Sequence, residues 1–272
     1  SLAESEREGL VLRKGGNFKF QHDRIQEAAY ALLSAADRER VHESAGQMWL
    51  ERTEGQPAAR AEKLFVIVSH LNRALTRVRA EGRERELARL NSQAAERAVE
   101  CLAYRSARDD IHVAMELLGD SPWRQDYELT YRLQKTLCAA LYLSGDYARS
   151  REVVEAALIE ARDDFDRAEL LQEKMRLYLY LNQTEDAFHL GLETLRLLGL
   201  EIPAHPSKAS MLRELVRSRY LLWRTGLGRL PELAPLSERR DLAIARTLVD
   251  VAPYAFLLCS DALFIIMMHL SF

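Results

Sequence analysis

Helical hairpins recur along this chain, and their recurrence constrains its fold more than any other feature. The clearest copy reads Ala140-Leu141-Tyr142-Leu143-Ser144-Gly145-Asp146-Tyr147-Ala148-Arg149-Ser150 and continues to Val154 and Ala157. Gly145 and Tyr147 mark a tight turn between two helices. Ser150, Val154 and Ala157 are small or medium side chains that let neighbouring helices touch. The same frame fits Tyr104, Ala107, Ile111 and Ala114 upstream, and Ala187, Gly191 and Thr194 downstream. Ala107, Ser150 and Ala187 stand 43 and 37 residues apart, a spacing typical of stacked helical repeats. Each hairpin in such an array leans on its neighbours. The expectation is an all-α stack whose function is binding rather than catalysis.

Composition agrees. The chain has 272 residues, enough for one or two domains with an ample core. Only 12 Gly and 7 Pro interrupt it, while Leu, Ala, Glu and Arg dominate, which favours helix. A net charge of -3 argues against a general nucleic-acid binder, which would be basic. Cys101, Cys138 and Cys259 occur singly inside apolar helical patterns, so free buried thiols in a reducing cytoplasm are expected and no zinc pair is formed. No basic segment precedes an apolar core, so no signal peptide is read. The apolar stretch from Leu248 to Phe272 is interrupted by Asp250 and Asp261, and Pro253 would kink it. Each Asp at a bilayer centre would cost about 2.5–3.5 kcal/mol, so a buried repeat helix is the better reading than a membrane span. This apolar pattern runs to the last residue without a cap, as in a piece of a longer protein, and such an end favours homo-oligomerisation.

Along the chain, residues 1–22 differ from the rest. Leu10-Val11-Leu12 and Phe18-Lys19-Phe20 alternate apolar and polar about Gly15-Gly16, which predicts a short β-hairpin. A helix follows with Asp23 as its cap and Ile25, Ala28, Ala29, Leu32 and Leu33 as its buried face. Ser34, with Asp37 three residues on, caps the next helix, whose inner side is Val41, Ala45, Met48 and Trp49. After the break at Gly55-Gln56-Pro57, a third helix carries Leu64, Phe65, Val68, Leu71, Leu75 and Val78 to Gly82. Hairpins then pair 84–101 with 104–118, 122–144 with 147–163, and 166–182 with 184–199. Pro203 and Pro206 stiffen the next connection. Helices over 207–226 and 236–270 complete the chain, separated by Gly226 to Pro235.

Chemistry is harder to find. There is no phosphate loop, dinucleotide fingerprint, zinc-protease motif or nucleophile elbow. The run from Arg79 to Arg89 alternates in sign, as on an exposed salt-bridged face. His112, His189, His205 and His269 have no acids or thiols at ligand spacing, so no metal site is expected. Tyr178 and Tyr180 cannot share one helix face, so one belongs to the core and the other to a groove or solvent. His22 stands where hairpin meets helix. There it can donate to a phosphate oxygen beside a helix N-terminus, or it can simply tie the two elements together.

Phe20-Gln21-His22-Asp23-Arg24-Ile25-Gln26-Glu27-Ala28-Ala29-Tyr30 closely resembles the F-x-H-D-R-I-Q-E-A-A-Y segment of large bacterial signalling proteins. In those proteins an ATPase module of the signal-transduction (STAND) kind precedes a long tetratricopeptide-like region. Arg38-Glu39-Arg40-Val41-His42, Leu64-Phe65-Val66-Ile67-Val68-Ser69-His70-Leu71-Asn72, Leu87-Ala88-Arg89-Leu90-Asn91, Ala103-Tyr104-Arg105-Ser106-Ala107, Tyr127-Glu128-Leu129 and Leu198-Gly199-Leu200-Glu201-Ile202-Pro203 continue it in order. The resemblance implies that residues 1–33 are a winged-helix-like tail of the ATPase module. Residues 34–272 would then be a tetratricopeptide-like α-α superhelix. Its repeats are wider than the roughly 34 residues of an ideal one, and Ser150 and Val154 replace the usual Ala and large aromatic. By the same resemblance the chain would be a cytoplasmic, non-catalytic scaffold without its own cofactor, coupling the nucleotide state of the adjacent module, which holds ATP or ADP, to a serine/threonine or histidine kinase output. His22 would be the nucleotide contact. Tyr104, Tyr142, Tyr178 and Tyr180 would line a groove for protein or peptide partners. The alternative is the regulatory repeat region of a STAND-type transcription activator with a C-terminal helix-turn-helix.

Overall fold

The computed structural model describes residues 2–14, 17–225 and 237–270. Its elements run α1 (Leu2–Arg7), β1 (Val11–Lys14), β2 (Asn17–Phe20), α2 (Asp23–Ala31), α3 (Ala35–Arg52), α4 (Pro57–Leu71), α5 (Leu75–Ala80), α6 (Glu84–Glu100) and α7 (Tyr104–Leu118). They continue as α8 (Pro122–Gln125), α9 (Tyr127–Leu143), α10 (Tyr147–Glu160), α11 (Asp164–Tyr180), α12 (Thr184–Leu197), α13 (Lys208–Thr225), α14 (Arg239–Leu258) and α15 (Ser260–Leu270). The protein is mostly helical, with one two-stranded antiparallel sheet among the described residues. Two compact units divide it, Ser1–Ala94 with Val113–Asp120, and Ala95–His112 with Ser121–Phe272.

In the first unit, β1 and β2 pair with Val11 opposite Phe20 and Arg13 opposite Phe18. The Gly15-Gly16 turn expected between them lies outside the described residues. The Gln21 amide still bonds to the Leu10 carbonyl at 3.1 Å, so the chain leaves the sheet late and α2 begins at Asp23. The expected cap is therefore displaced by one position. His22, in extended backbone, is the N-cap and its side chain makes no capping bond, while Asp23 lies in the first turn, where a carboxylate suits the helix dipole. The expected apolar face of α2 is not buried either: Ile25, Ala29 and Leu33 are half-buried, Ala28 is exposed and Leu32 is 88% exposed.

Ser34 does cap α3, accepting from the Asp37 amide at 3.1 Å. The buried face of α3, however, is His42, Glu43, Gly46 and Leu50 rather than Val41, Ala45, Met48 and Trp49. Gly46 explains the rotation. A Cβ there would stand 2.6 Å from Leu71 Cδ2, so its bare backbone is what lets α4 lie this close. On α4, Leu64, Val68 and Leu71 are buried as expected and Ile67 joins them, whereas Phe65 is exposed. The single long helix expected through Val78 is two. Tight bonds from the Arg73 and Ala74 amides to the His70 and Leu71 carbonyls end α4, and the Asn72 amide trades two hydrogen bonds with Asn91, at 2.8 and 2.9 Å.

The repeat frame is visible in the turns. Leu102, Gly145 and Asn182 adopt left-handed backbone at φ 61°, 88° and 57°, each two residues after the last residue of α6, α9 and α11. After each, an amide reaches back to the last helical turn: Ala103 to Ala98, Asp146 to Leu141 and Gln183 to Tyr178, at 2.8–2.9 Å. These are Schellman-type closures, and they recur at the 43- and 37-residue spacing read from the sequence.

In the second unit α10 packs on α9 and α11, α12 on α11 and α14, and α11 touches both α9 and α14. The first helices of successive hairpins therefore stand side by side, backed by return helices. Val154 and Ala157 of α10 pack with Cys138, Leu170 and Leu177 in one core. Met175, Phe188, Leu195, Val251 and Ile266 form a second. A Cβ on Gly191 would meet Val251 Cγ2 at 2.5 Å, so α12 and α14 approach through that glycine. The helix expected over 236–270 breaks at Cys259, where the backbone turns extended, while Pro253 sits inside α14 without ending it. The expected break from Gly226 to Pro235 lies outside the described residues. Of the three thiols only Cys138 is buried; Cys259 is half-buried, and Cys101 is exposed in the turn after α6 rather than within a helix. No helix among the described residues is long and apolar enough to cross a membrane.

Candidate functional site

The densest polar chemistry runs along α11. Asp163 caps this helix, its carboxylate accepting from the Phe165 and Asp166 amides at 2.9 and 2.8 Å. Asp166, Glu169, Glu173 and Arg176 then follow at helical spacing and share one face. From α9, Tyr127 donates to Asp166 at 2.8 Å, Lys135 pairs with Glu169 at 2.7 Å, and Tyr142 donates to Glu173 at 3.1 Å. From α14, Arg239 reaches Asp166 at 2.8 Å and Asp250 accepts from Arg176 at 2.9 Å. Arg176 also holds Glu173 at 2.7 Å. Beside this row the Gln172 amide donates to Thr247 at 2.7 Å, and the Tyr254 hydroxyl to the Met175 carbonyl at 3.3 Å.

Burial of these groups demands partners, because an unpaired polar atom in the interior costs 1–3 kcal/mol or more. Each carboxylate of the row has its cation or phenol. Burial pushes the Glu173 carboxyl upward against the pull of Arg176 and Tyr142. Burial and Asp166 push the Tyr127 phenol up to about 12. Burial and Glu173 raise that of Tyr142. The phenols thus stay protonated and donate to the carboxylates, while the Tyr127 oxygen also accepts from the Arg162 amide at 3.0 Å. This seam of contacts ties α9 and α14 to one face of α11.

The expected groove tyrosines are dispersed. Tyr142 is buried under the seam. Tyr180, half-exposed at the end of α11, stacks on Tyr142 and Tyr147 with ring centroids 5.2 and 6.3 Å apart. Tyr178 is half-buried on another face of α11, with Arg151 and Lys174 each 5.9 Å from its ring. Tyr104 opens α7, half-buried, and shares no ring contact with the others. His22 is exposed at the start of α2. Tyr142 and Tyr180 are thus brought together.

Sequence reasoning missed a second polar cluster, in the first unit. Tyr30 bonds to His42 Nε2 at 2.9 Å, and His42 Nδ1 meets His70 Nδ1 at 2.9 Å. Burial lowers both imidazoles below their ordinary value, with Arg73 adding to each and His42 to His70. Their one signal was His42 four residues before Gly46, on the face that Gly46 brings to α4. Nor did the sequence bring an acid to His269, which Glu214 of α13 approaches at 3.7 Å. Asp110, half-buried on α7 beside Asp109, is pushed up to about 6 by burial and its neighbour's charge. No group of three metal-ligating side chains occurs among the described residues.

No family model matches the chain. In an alignment of 219 positions that covers 72% of the chain, it is 19% identical to hybrid signal transduction histidine kinase G of Dictyostelium discoideum. The match covers 6% of that much longer protein. A distant likeness to part of a signalling protein is what this comparison gives.

Proposed function

We propose that the chain is a non-catalytic docking and regulatory segment of a signal-transduction protein, its hairpins wound as a tetratricopeptide-like superhelix. The observation that carries this reading is the recurrence of one turn geometry at Leu102, Gly145 and Asn182, combined with α9, α11 and α14 standing side by side. Repeats of this kind present an extended surface to protein partners. The name of the Dictyostelium relative supports a signalling setting. Residues 1–33 are the winged-helix-like tail of an ATPase module, with His22 its nucleotide contact, and residues 34–272 the array. The array docks on that module in one nucleotide state and leaves it in the other, so differential affinity drives the switch. Tyr180, stacked over Tyr142, is the exposed anchor.

Thermal melting of this chain with about 1 mM ATP or ADP tests the reading. A resident site with a dissociation constant near 10 μM would add about 2.7 kcal/mol; no shift is expected. A photo-crosslinker at position 180 in the intact protein should yield a protein adduct, within the same polypeptide or to a partner. Stabilisation by nucleotide together with no such adduct would contradict the reading.

A further inference from the structure

α13 leaves open a face that its sequence has prepared on both sides. This 18-residue helix packs on α15, and Met211, Glu214 and Ser218 face inward. Turned outward are Leu212 (61% exposed), Val216 (60%), Tyr220 (55%) and Trp223 (80%). At ~100° per residue these four share one stripe about 80° wide. The same wheel places Arg213, Arg217 and Arg224 along one edge of the stripe, and Lys208 and Arg219 along the other. Glu214 is the one acid of the helix. It points inward, 3.7 Å from His269, with Arg217 and Arg213 at 3.5 and 3.8 Å. The outer face therefore carries an apolar stripe between two cationic rims, in a chain whose net charge is -3.

We infer that this face docks an acidic amphipathic helix of a partner protein. An apolar seam on such a helix would cover Leu212, Val216, Tyr220 and Trp223, and Asp or Glu on its two flanks would meet the two rims. Opposed charges beside an apolar seam are how paired helices choose partner and orientation. Four of the five cations are arginines, whose planar fork holds carboxylates in pairs of hydrogen bonds. The occupant is a helix rather than an anionic bilayer because the cations are confined to two narrow rims. A lipid plane would also face the acids of an overall negative chain, whereas a helix reaches only the stripe and its borders. The inference goes beyond the proposed function, which is carried by the turns at Leu102, Gly145 and Asn182 and by α9, α11 and α14 rather than by α13, so its failure would leave that reading intact.

The test uses the whole chain with Trp49→Phe and Trp123→Phe, so that Trp223 alone reports. The probes are a synthetic helical peptide with Leu and Phe on one seam flanked by Glu, the same peptide with Lys for Glu, and phosphatidylserine vesicles. The Glu peptide is expected to blue-shift Trp223 emission and bind at roughly tens of micromolar, at least about tenfold more weakly in high salt. Arg213→Glu with Arg217→Glu and Arg224→Glu should weaken it by about tenfold or more at unchanged helicity, and the Lys peptide should not bind. Equal binding of both peptides, binding of neither, or a Trp223 shift with vesicles alone would overturn the inference.

Discussion

Helices α2 and α11 invert what their sequences suggest. α2 has the apolar spacing of a helix with a core face, yet none of its residues is buried. α11 carries seven charged residues in its 17, yet eight of its residues are buried, Asp166, Gln172 and Glu173 among them. Hydropathy decides how much a face would gain from burial; neighbours decide whether it is buried. α11 lies against α9, α10, α12 and α14, and α9, α10 and α14 supply a phenol, cation, carboxylate or hydroxyl for its polar groups. α2 touches β2, and it reaches α3 through Tyr30 and through Arg38, which donates to the Tyr30 and Ala31 carbonyls.

The largest test of this contrast is Arg176→Ala, which leaves Glu173 and Asp250 facing each other without their cation. A loss of about 3 kcal/mol in urea unfolding is expected, and Glu173→Gln added to it should recover part of that loss. Gly191→Ala should cost about 2 kcal/mol, because branched Val251 cannot clear the new methyl and the gain in helix propensity is smaller. An unchanged midpoint would mean that α12 and α14 do not approach so closely.

Acidification should act on the first unit more gently. His42 and His70 are held below the ordinary imidazole value when folded, by burial first and by the charge of Arg73. The unfolded chain therefore takes up more protons as pH falls. The stability the pair contributes is present above the ordinary imidazole value and is lost as pH drops through the depressed folded values. A fall in melting temperature of about 4 °C between pH 7.5 and 5 is expected, and His70→Asn should flatten it. Leu32→Ser, on the open face of α2, should change stability by no more than about 0.5 kcal/mol.

The hairpin boundaries were legible because Gly145, Ser150 and Ala187 fix turn and contact positions through backbone geometry and side-chain size, which are local properties. Ser34 was legible as a cap for the same reason. The inner face of α3 was not, since His42 and Glu43 are polar and only contact with Leu71, His70 and Arg77 makes burial favourable. The seam was equally hidden. Tyr127 and Asp166 are 39 residues apart, but Arg176 and Asp250 are 74 apart with α13 between them, so no fixed repeat spacing connects α11 to α14. Aromaticity alone marks the groove tyrosines in the sequence, and it does not separate buried Tyr142 from half-exposed Tyr180.

Hydrogen exchange under native conditions tests most directly whether the α11 seam locks the hairpins together. Amides of α11 near Leu170 and Leu177 should be among the slowest to exchange and those of α2 among the fastest, with Arg176→Ala releasing α11 and α14 together. Equal protection of α2 and α11, or an α14 that stays protected when Arg176 is gone, would contradict the account.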